Sequence, residues 1–365
     1  VAKSGKKDTK KGKGRRRMDA EGEVPEAGEA AMGIEEPHEL AVEEPHELAV
    51  EEPHGVLLDE PDVPVGPDEE PAEALFALPE PVAPVPSADV QAQVETPAGP
   101  VIPEPEPLTT HGPARIIAMV NQKGGVGKTT STVSLGAALA GYGRRVLLVD
   151  FDPQGALSVA LGIRPDEEDL TVYSLLMDPE AHIGDVIMST DVDDLDLLPC
   201  DIQLAAAEMQ LVSEVGREHA LARALAPIVP EYDIILIDCQ PSLGLLTVNA
   251  LTAAHGVIIP MECEFFALRG VALLQESLQK VRSRLNPQLE IIGVLPTMYD
   301  ARTLHSREVL ERVQQAFGDQ VFVTRISRTI KFPDAAVAGQ PITEFAPDSP
   351  GALAYEQLAR EVLSR

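Results

Sequence analysis

"VNQKGGVGKTT", Val120 to Thr130, decides how the rest of the chain is read. A glycine-rich turn ending in Gly127-Lys128-Thr129 has the parts of a phosphate cradle. Glycines let backbone N–H groups approach the oxygens, a lysine supplies charge to the β/γ-phosphates, and a hydroxyl faces Mg²⁺. The ordinary pattern, G-x-x-x-x-G-K-[ST], would place a glycine at position 122. Gln122 stands there instead, and Lys123 adds a second lysine. The run ahead of the loop, "RIIAMVN" (115–121), is strand-like, and a helix opens behind it through Leu139. Strand, loop and helix in that order predict a nucleotide site. Gly124, Gly125, Val126, Gly127, Lys128, Thr129 and Thr130 surround the phosphates, with Thr129 on the metal.

Downstream, unbroken apolar runs alternate with helical stretches. Strands are expected at 144–150, 195–200, 232–239, 255–262, 289–297 and 320–326. Helices are expected at 203–213, 217–228, 243–253, 267–285, 304–317 and about 350–364. Apolar strands separated by helices predict an α/β fold, with a mostly parallel, doubly wound sheet flanked by helices. Ligands of such sheets bind at the carboxyl ends of the strands.

Two more motifs fall at those ends. "LLVDFDPQG" (147–155) carries Asp150 and Asp152, which alternation puts on one side of the chain. One carboxylate can anchor the loop or the metal's waters while the other orients an attacking water. "LIDC" ends a strand at Asp238, where a carboxylate fits a second-shell Mg²⁺ holder.

The first third of the chain has another character. Residues 1–17 hold nine basic residues and one acidic residue, and 18–114 hold 25 acidic residues with no Lys or Arg. The net charge of −30 is therefore mostly a property of the tail, and it leaves room for a local basic patch. "EEPHELAV" at 35–42 recurs at 43–50, and "EEPH" returns at 51–54, so that His38, His46 and His54 are evenly spaced. Such composition cannot bury enough apolar surface to offset its ordering entropy. The expected organisation is a basic disordered end (1–17), an acidic Pro/Glu-rich disordered tail (18–114) and a folded domain (115–365). Cys200, Cys239 and Cys263 form no C-x-x-C pair, which points to reduced thiols in a cytoplasmic protein. The basic start lacks the apolar run of a secretory signal, and no segment approaches a membrane span.

Taken together, "KGGVGKTT", "DFDPQG", "IDCQPSLGLLTVNAL", "PMECEFFAL" and "TMYDART" resemble the ParA/Soj partition ATPases of the deviant Walker A class. The resemblance spans 115–365 and none of the tail. It implies a P-loop NTPase that binds ATP and Mg²⁺ and forms a homodimer with ATP sandwiched between subunits. Lys123 would reach across to the partner's phosphates as an in-trans cation, as an arginine finger does. Without nucleotide, two such loops would repel. Lys128 would act beside it in catalysis, Asp152 would position water, Asp150 would support it, and Asp238 with "CQPS" would sense hydrolysis. Arg328, Thr329 and Pro333 would lie near the adenine. Three residues depart from the family pattern: Gln240 for a proline, Arg269 for a glutamate and Thr329 for an asparagine.

The same resemblance implies non-specific double-stranded DNA binding through Arg302 and Lys331, with Arg307, Arg312, Arg325 and Arg328 able to widen the patch. It implies a ParB/Spo0J-like centromere-binding partner that stimulates hydrolysis, chromosome or plasmid segregation, and a nucleoid-associated location in the cytoplasm. The N-terminal tail suits a polar scaffold as a further partner. The competing reading is a MinD-like or flagellar-site positioning ATPase on a membrane or protein scaffold. Membrane members carry a C-terminal basic amphipathic helix, and "AYEQLAREVLSR" reads instead as the domain's own last helix, so no membrane partner is expected. A nitrogenase-like iron–sulfur reductase would need paired cysteine ligands, which the spacing does not supply.

Overall fold

The computed structural model describes residues 102–365, apart from 167, 168, 265 and 266 and the side chains of 267–269. The expected basic end and the tail through 101, including the repeats and their three histidines, lie outside the described residues.

Among the described residues, seven strands form one sheet: β1 (Arg115–Met119), β2 (Val146–Phe151), β3 (Met188–Ser189), β4 (Leu195–Leu198), β5 (Ile234–Cys239), β6 (Gly256–Glu262) and β7 (Glu290–Thr297). Their order is β3-β4-β2-β5-β1-β6-β7. Every pairing is parallel except the short β3–β4 edge. The expected doubly wound sheet is what forms, and strand alternation shows why. On β1, Ile116 and Ala118 enter one core, while Ile117 and Met119 enter the other. The first core is closed by residues of the helices Leu245–Ala253, Ala267–Arg284 and Leu304–Phe317, the second by Lys128–Gly141 and Pro350–Ser364. Burying a Leu or Ile side chain contributes about 1.5–3 kcal/mol, so a strand lined on both faces is held strongly.

The helix Lys128–Gly141 lies almost flat on the sheet. A Cβ at Gly136 would meet Leu148 Cδ2 at 2.6 Å, so the absence of a side chain sets that approach. Its outer side meets the helix Pro350–Ser364, where Ser131 and Tyr355 hydroxyls lie 3.0 Å apart. That last helix is capped by Ser349, whose hydroxyl accepts from the Ala352 N–H.

Two expectations shift. Hydrogen bonds run back beyond the boundary expected at Arg115. Asp233 accepts from the Gly112 N–H at 2.8 Å and pairs with His111 Nδ1 at 2.8 Å, and Arg144 donates to the Glu106 carbonyl at 2.9 Å. Composition counts charges and prolines, and it is blind to these partners. The strand expected at 320–326 joins the sheet through one isolated bridge, Val321 to Val294, instead of a ladder. The reason is a carboxylate: Glu361 accepts from Val323 N–H at 2.9 Å and from Thr324 N–H at 3.1 Å, taking donors that a strand would use.

Candidate nucleotide site

The central position of β1 aims the loop after it between the ends of β5 and β6. Gly125 and Gly127 have φ of 74° and 86°, a region that side chains rarely adopt, and Gly127 starts the helix at Lys128. A Cβ at Gly124 or Gly125 would meet nothing within 4 Å, so the cradle opens outward. Thr297 braces the loop by donating to the Val126 carbonyl at 2.9 Å.

Behind the loop is a buried wall. In the sheet register Met119 stands opposite Asp238, and Asp238 opposite Asp150. Both carboxylates are fully buried. Asp238 accepts from Thr129 Oγ1 at 2.6 Å and from Thr132 Oγ1 at 3.3 Å. Burial pushes its pKa up to about 7. Asp150 accepts from the Ser158 N–H at 2.8 Å and the Ser158 hydroxyl at 2.7 Å, and burial pushes it up to about 6. Lys128 is buried, donates to the Lys123 carbonyl at 3.3 Å, and is held below the ordinary lysine pKa by desolvation.

This wall fits a magnesium-bound polyphosphate. The Thr129 proton is directed at Asp238, which leaves the hydroxyl's lone pairs for a cation. A desolvated ammonium beside open glycine N–H groups favours an anion. Thr130 sits at the helix start and lines the adjoining cavity.

Sequence alternation paired Asp150 with Asp152, and the structure separates their environments. Asp150 is sealed and fastens the loop to the helix Ala156–Ala160 through Ser158. Asp152 is part-exposed, accepts from the Gln154 N–H at 3.1 Å, and remains available to solvent. Ser158 was not singled out in the sequence, because one serine in an apolar helix start carries no pattern.

A cavity of about 480 Å³ adjoins the loop, lined by Gly125, Gly127, Thr130, Met298, Arg328, Thr329, Phe332, Pro333 and Tyr355 among others. All three residues expected near the base line it. A larger cleft, about 750 Å³, is lined by Leu175, Met177, His182, Gln210 and Pro227 among others and shares no residue with the loop.

Lys123 is the surprise. Its ammonium pairs with Glu262 at 2.7 Å and Glu264 at 2.9 Å of its own chain. These hydrogen bonds, Glu262's first, hold its pKa above the ordinary lysine value. The expected repulsion between bare lysine loops is therefore weakened, since the charge is already met. Composition cannot show this, because "PMECEFFAL" lies well over a hundred residues from the loop.

The residues expected to form a basic patch are exposed, and some are paired within the chain. Arg302 donates from Nε and Nη2 to both oxygens of Asp300, at 2.9 and 2.8 Å, and its hydrogen bonds hold the Asp300 carboxyl down at about 2. Lys331 is exposed at the start of the helix Lys331–Ala338. Arg325 lies over the Tyr299 ring at 5.0 Å, and Arg328 pairs with Glu262 at 3.1 Å, so both already have roles on the domain. Of the three family departures, Gln240 donates to Glu208 at 3.4 Å, Thr329 lines the cavity beside the loop, and the Arg269 side chain lies outside those described. Among the described residues no helix is long and apolar enough to cross a membrane.

Comparison with known proteins points the same way. A family described as an AAA domain matches residues 114–291. An uncharacterized protein of Mycobacterium tuberculosis is 61% identical over 264 residues, covering 72% of this chain and 83% of that one. The sporulation initiation inhibitor protein Soj of Bacillus subtilis is 49% identical over 248 residues, covering 68% of this chain and 98% of Soj. Among solved structures, cobyrinic acid a,c-diamide synthase from Mycobacterium smegmatis with bound ATP analog and magnesium matches with a TM-score of 0.60 at 44% identity, over 67% of this chain and 93% of that one.

Proposed function

The chain belongs to the ParA/Soj family of P-loop ATPases, and from that premise we propose that it is an ATP- and Mg²⁺-dependent dimer that moves DNA cargo. The observation that supports this best is one loop with two lysines in opposite settings. Lys128 is buried against the metal-holding wall, while the Lys123 side chain is 45% exposed at the rim. A buried lysine serves its own subunit's phosphates, and a rim lysine can serve a neighbour's.

When bound, ATP with Mg²⁺ supplies the phosphoryl group and the cation that offsets its charge. Gly124 to Thr130 hold the phosphates, and Thr129 with Asp238 behind it holds the metal. Arg328, Thr329 and Pro333 flank the base. Asp152 orients the attacking water, and Asp150 fixes the loop that carries it. Asp238 and the segment after it carry the phosphate state to the dimer face. Lys123 crosses to the partner's phosphates, so that ATP and pairing become one event.

In the dimer, Arg302 and Lys331 contact DNA phosphates without reading bases, Arg302 exchanging Asp300 for phosphate. Two protomers double the contacts, which makes binding far tighter and steeply salt-dependent. A ParB-like centromere-binding partner triggers hydrolysis, and the monomers leave the DNA. Chromosome or plasmid segregation is the process served, at the nucleoid.

The test is DNA binding with ATP, ADP and no nucleotide, for wild type, Lys123→Ala and Asp152→Ala. Wild type should bind DNA with ATP, Lys123→Ala should lose that binding, and Asp152→Ala should keep it while losing turnover. Equal affinity in every nucleotide state would remove the switch.

A further inference from the structure

Glu262 ends β6, and β6 pairs with β1, so the sheet itself sets this carboxylate beside the phosphate loop. Asn121 fixes the loop in the same way. Its amide donates to the Pro260 carbonyl at 2.7 Å, and its side-chain oxygen accepts from the Lys123 N–H at 2.9 Å. Backbone geometry thus brings Lys123 to Glu262. The Glu262 side chain is 10% exposed, against 51% for Glu264, so it is the less screened of the two partners. Its second oxygen accepts from Arg328 at 3.1 Å, and both Glu262 and Arg328 line the base cavity. One carboxylate therefore joins the rim lysine to the wall beside the base.

Resting on the reading that Lys123 crosses to a partner's phosphates, we propose that Glu262 and Glu264 form a clamp that stores Lys123 on its own protomer. The partner's phosphates must then displace two carboxylates before subunits pair, and Glu262, through Arg328, couples that release to filling of the base cavity. One ammonium cannot serve both places at once. In the stored state two carboxylates face two cations and the group is neutral. Withdrawing Lys123 leaves two like charges facing Arg328, which opposes withdrawal until triphosphate is present on the partner. Glu262 and Glu264 are positioning residues, acting through Lys123 and not on the reacting atoms. The clamp also keeps the Lys123 amine protonated, which makes it slow to acylate.

The test begins without nucleotide. Wild type, Glu262→Gln and Glu264→Gln are treated with limiting acetic anhydride, and Lys123 acetylation is followed by mass spectrometry against exposed Lys280 as an internal reference. Lys123 should react several-fold faster in both variants, with Lys280 unchanged. Glu264→Gln leaves the Arg328–Glu262 pair in place, so it reports the clamp without disturbing the base side. In sedimentation with a non-hydrolysable ATP analogue and Mg²⁺, Glu264→Gln should dimerise at several-fold lower analogue concentration than wild type. Equal Lys123 acetylation in all three proteins, with a normal wild-type dimer, overturns the clamp alone. A wild type that stays monomeric while the variants acetylate faster overturns the crossing-lysine reading and the displacement step with it.

Discussion

The inner wall and the outer rim of the nucleotide site share one loop and follow opposite physics. At the wall, Lys128, Asp150 and Asp238 are buried, and burial disfavours the charge of each: the lysine is shifted down and the carboxylates up. At the rim, Lys123 is shifted up, held by the hydrogen bonds of Glu262 and Glu264. A wall under desolvation awaits a ligand that restores its charge balance. On the proposed reading, the neutralised rim changes partner when a stronger anion arrives. On that reading, the wall binds and the rim switches.

The sharpest way to break this division is to remove each lysine. Lys123→Ala should lower ATP turnover by about 10³-fold or more, the scale of a lost in-trans cation. It should leave nucleotide binding by the monomer, while Lys128→Ala should lose that binding. Isothermal titration of both variants with ATP and Mg²⁺ decides it: equal loss of binding would erase the distinction.

The wall's burial has a pH signature in the nucleotide-free protein. Asp238 titrates at about 7 when folded, above the ~3.9 of an unfolded aspartate, so the folded state prefers the proton. Its stability contribution is intact at low pH and is lost as pH rises from about 4 through about 7. Asp238→Asn removes that penalty. The variant should gain on wild type by up to about 4 kcal/mol at pH 8, fading towards pH 4. Urea titrations across that range would show it, and a pH-independent difference would mean that Asp238 is not desolvated as described.

Smaller effects sharpen the picture at the exposed positions. Asp152→Ala should cost about 10²-fold in turnover, the low end for a residue that handles water, with ATP-dependent DNA binding kept. Arg302→Ala and Lys331→Ala should each weaken DNA binding uniformly across sequences and reduce the salt slope by about 1. Filter binding at several salt concentrations reads both quantities, and an unchanged slope would move the DNA surface elsewhere.

Regions whose chemistry is local in the chain were legible in advance. The loop motif, the strand-end aspartates and six of the strands follow from residue type and spacing, because each is a property of neighbouring residues. What escaped is what folding brings from afar. Glu262 and Glu264 on Lys123, and Glu361 on the 320–326 segment, are side chains meeting distant backbone or charge. No periodicity marks them. The short edge strand Met188–Ser189 and the helix Lys331–Ala338 escaped for a related reason: two residues have no period, and the helix buries just Ala335.

The most direct measurement is the sedimentation of wild type and Lys123→Ala with a non-hydrolysable ATP analogue and Mg²⁺, at concentrations above those of the cell. Wild type should shift to a dimer, and Lys123→Ala should remain a monomer. A monomeric wild type, or a Lys123→Ala dimer as tight as wild type, would contradict the claim that the rim lysine joins ATP to pairing.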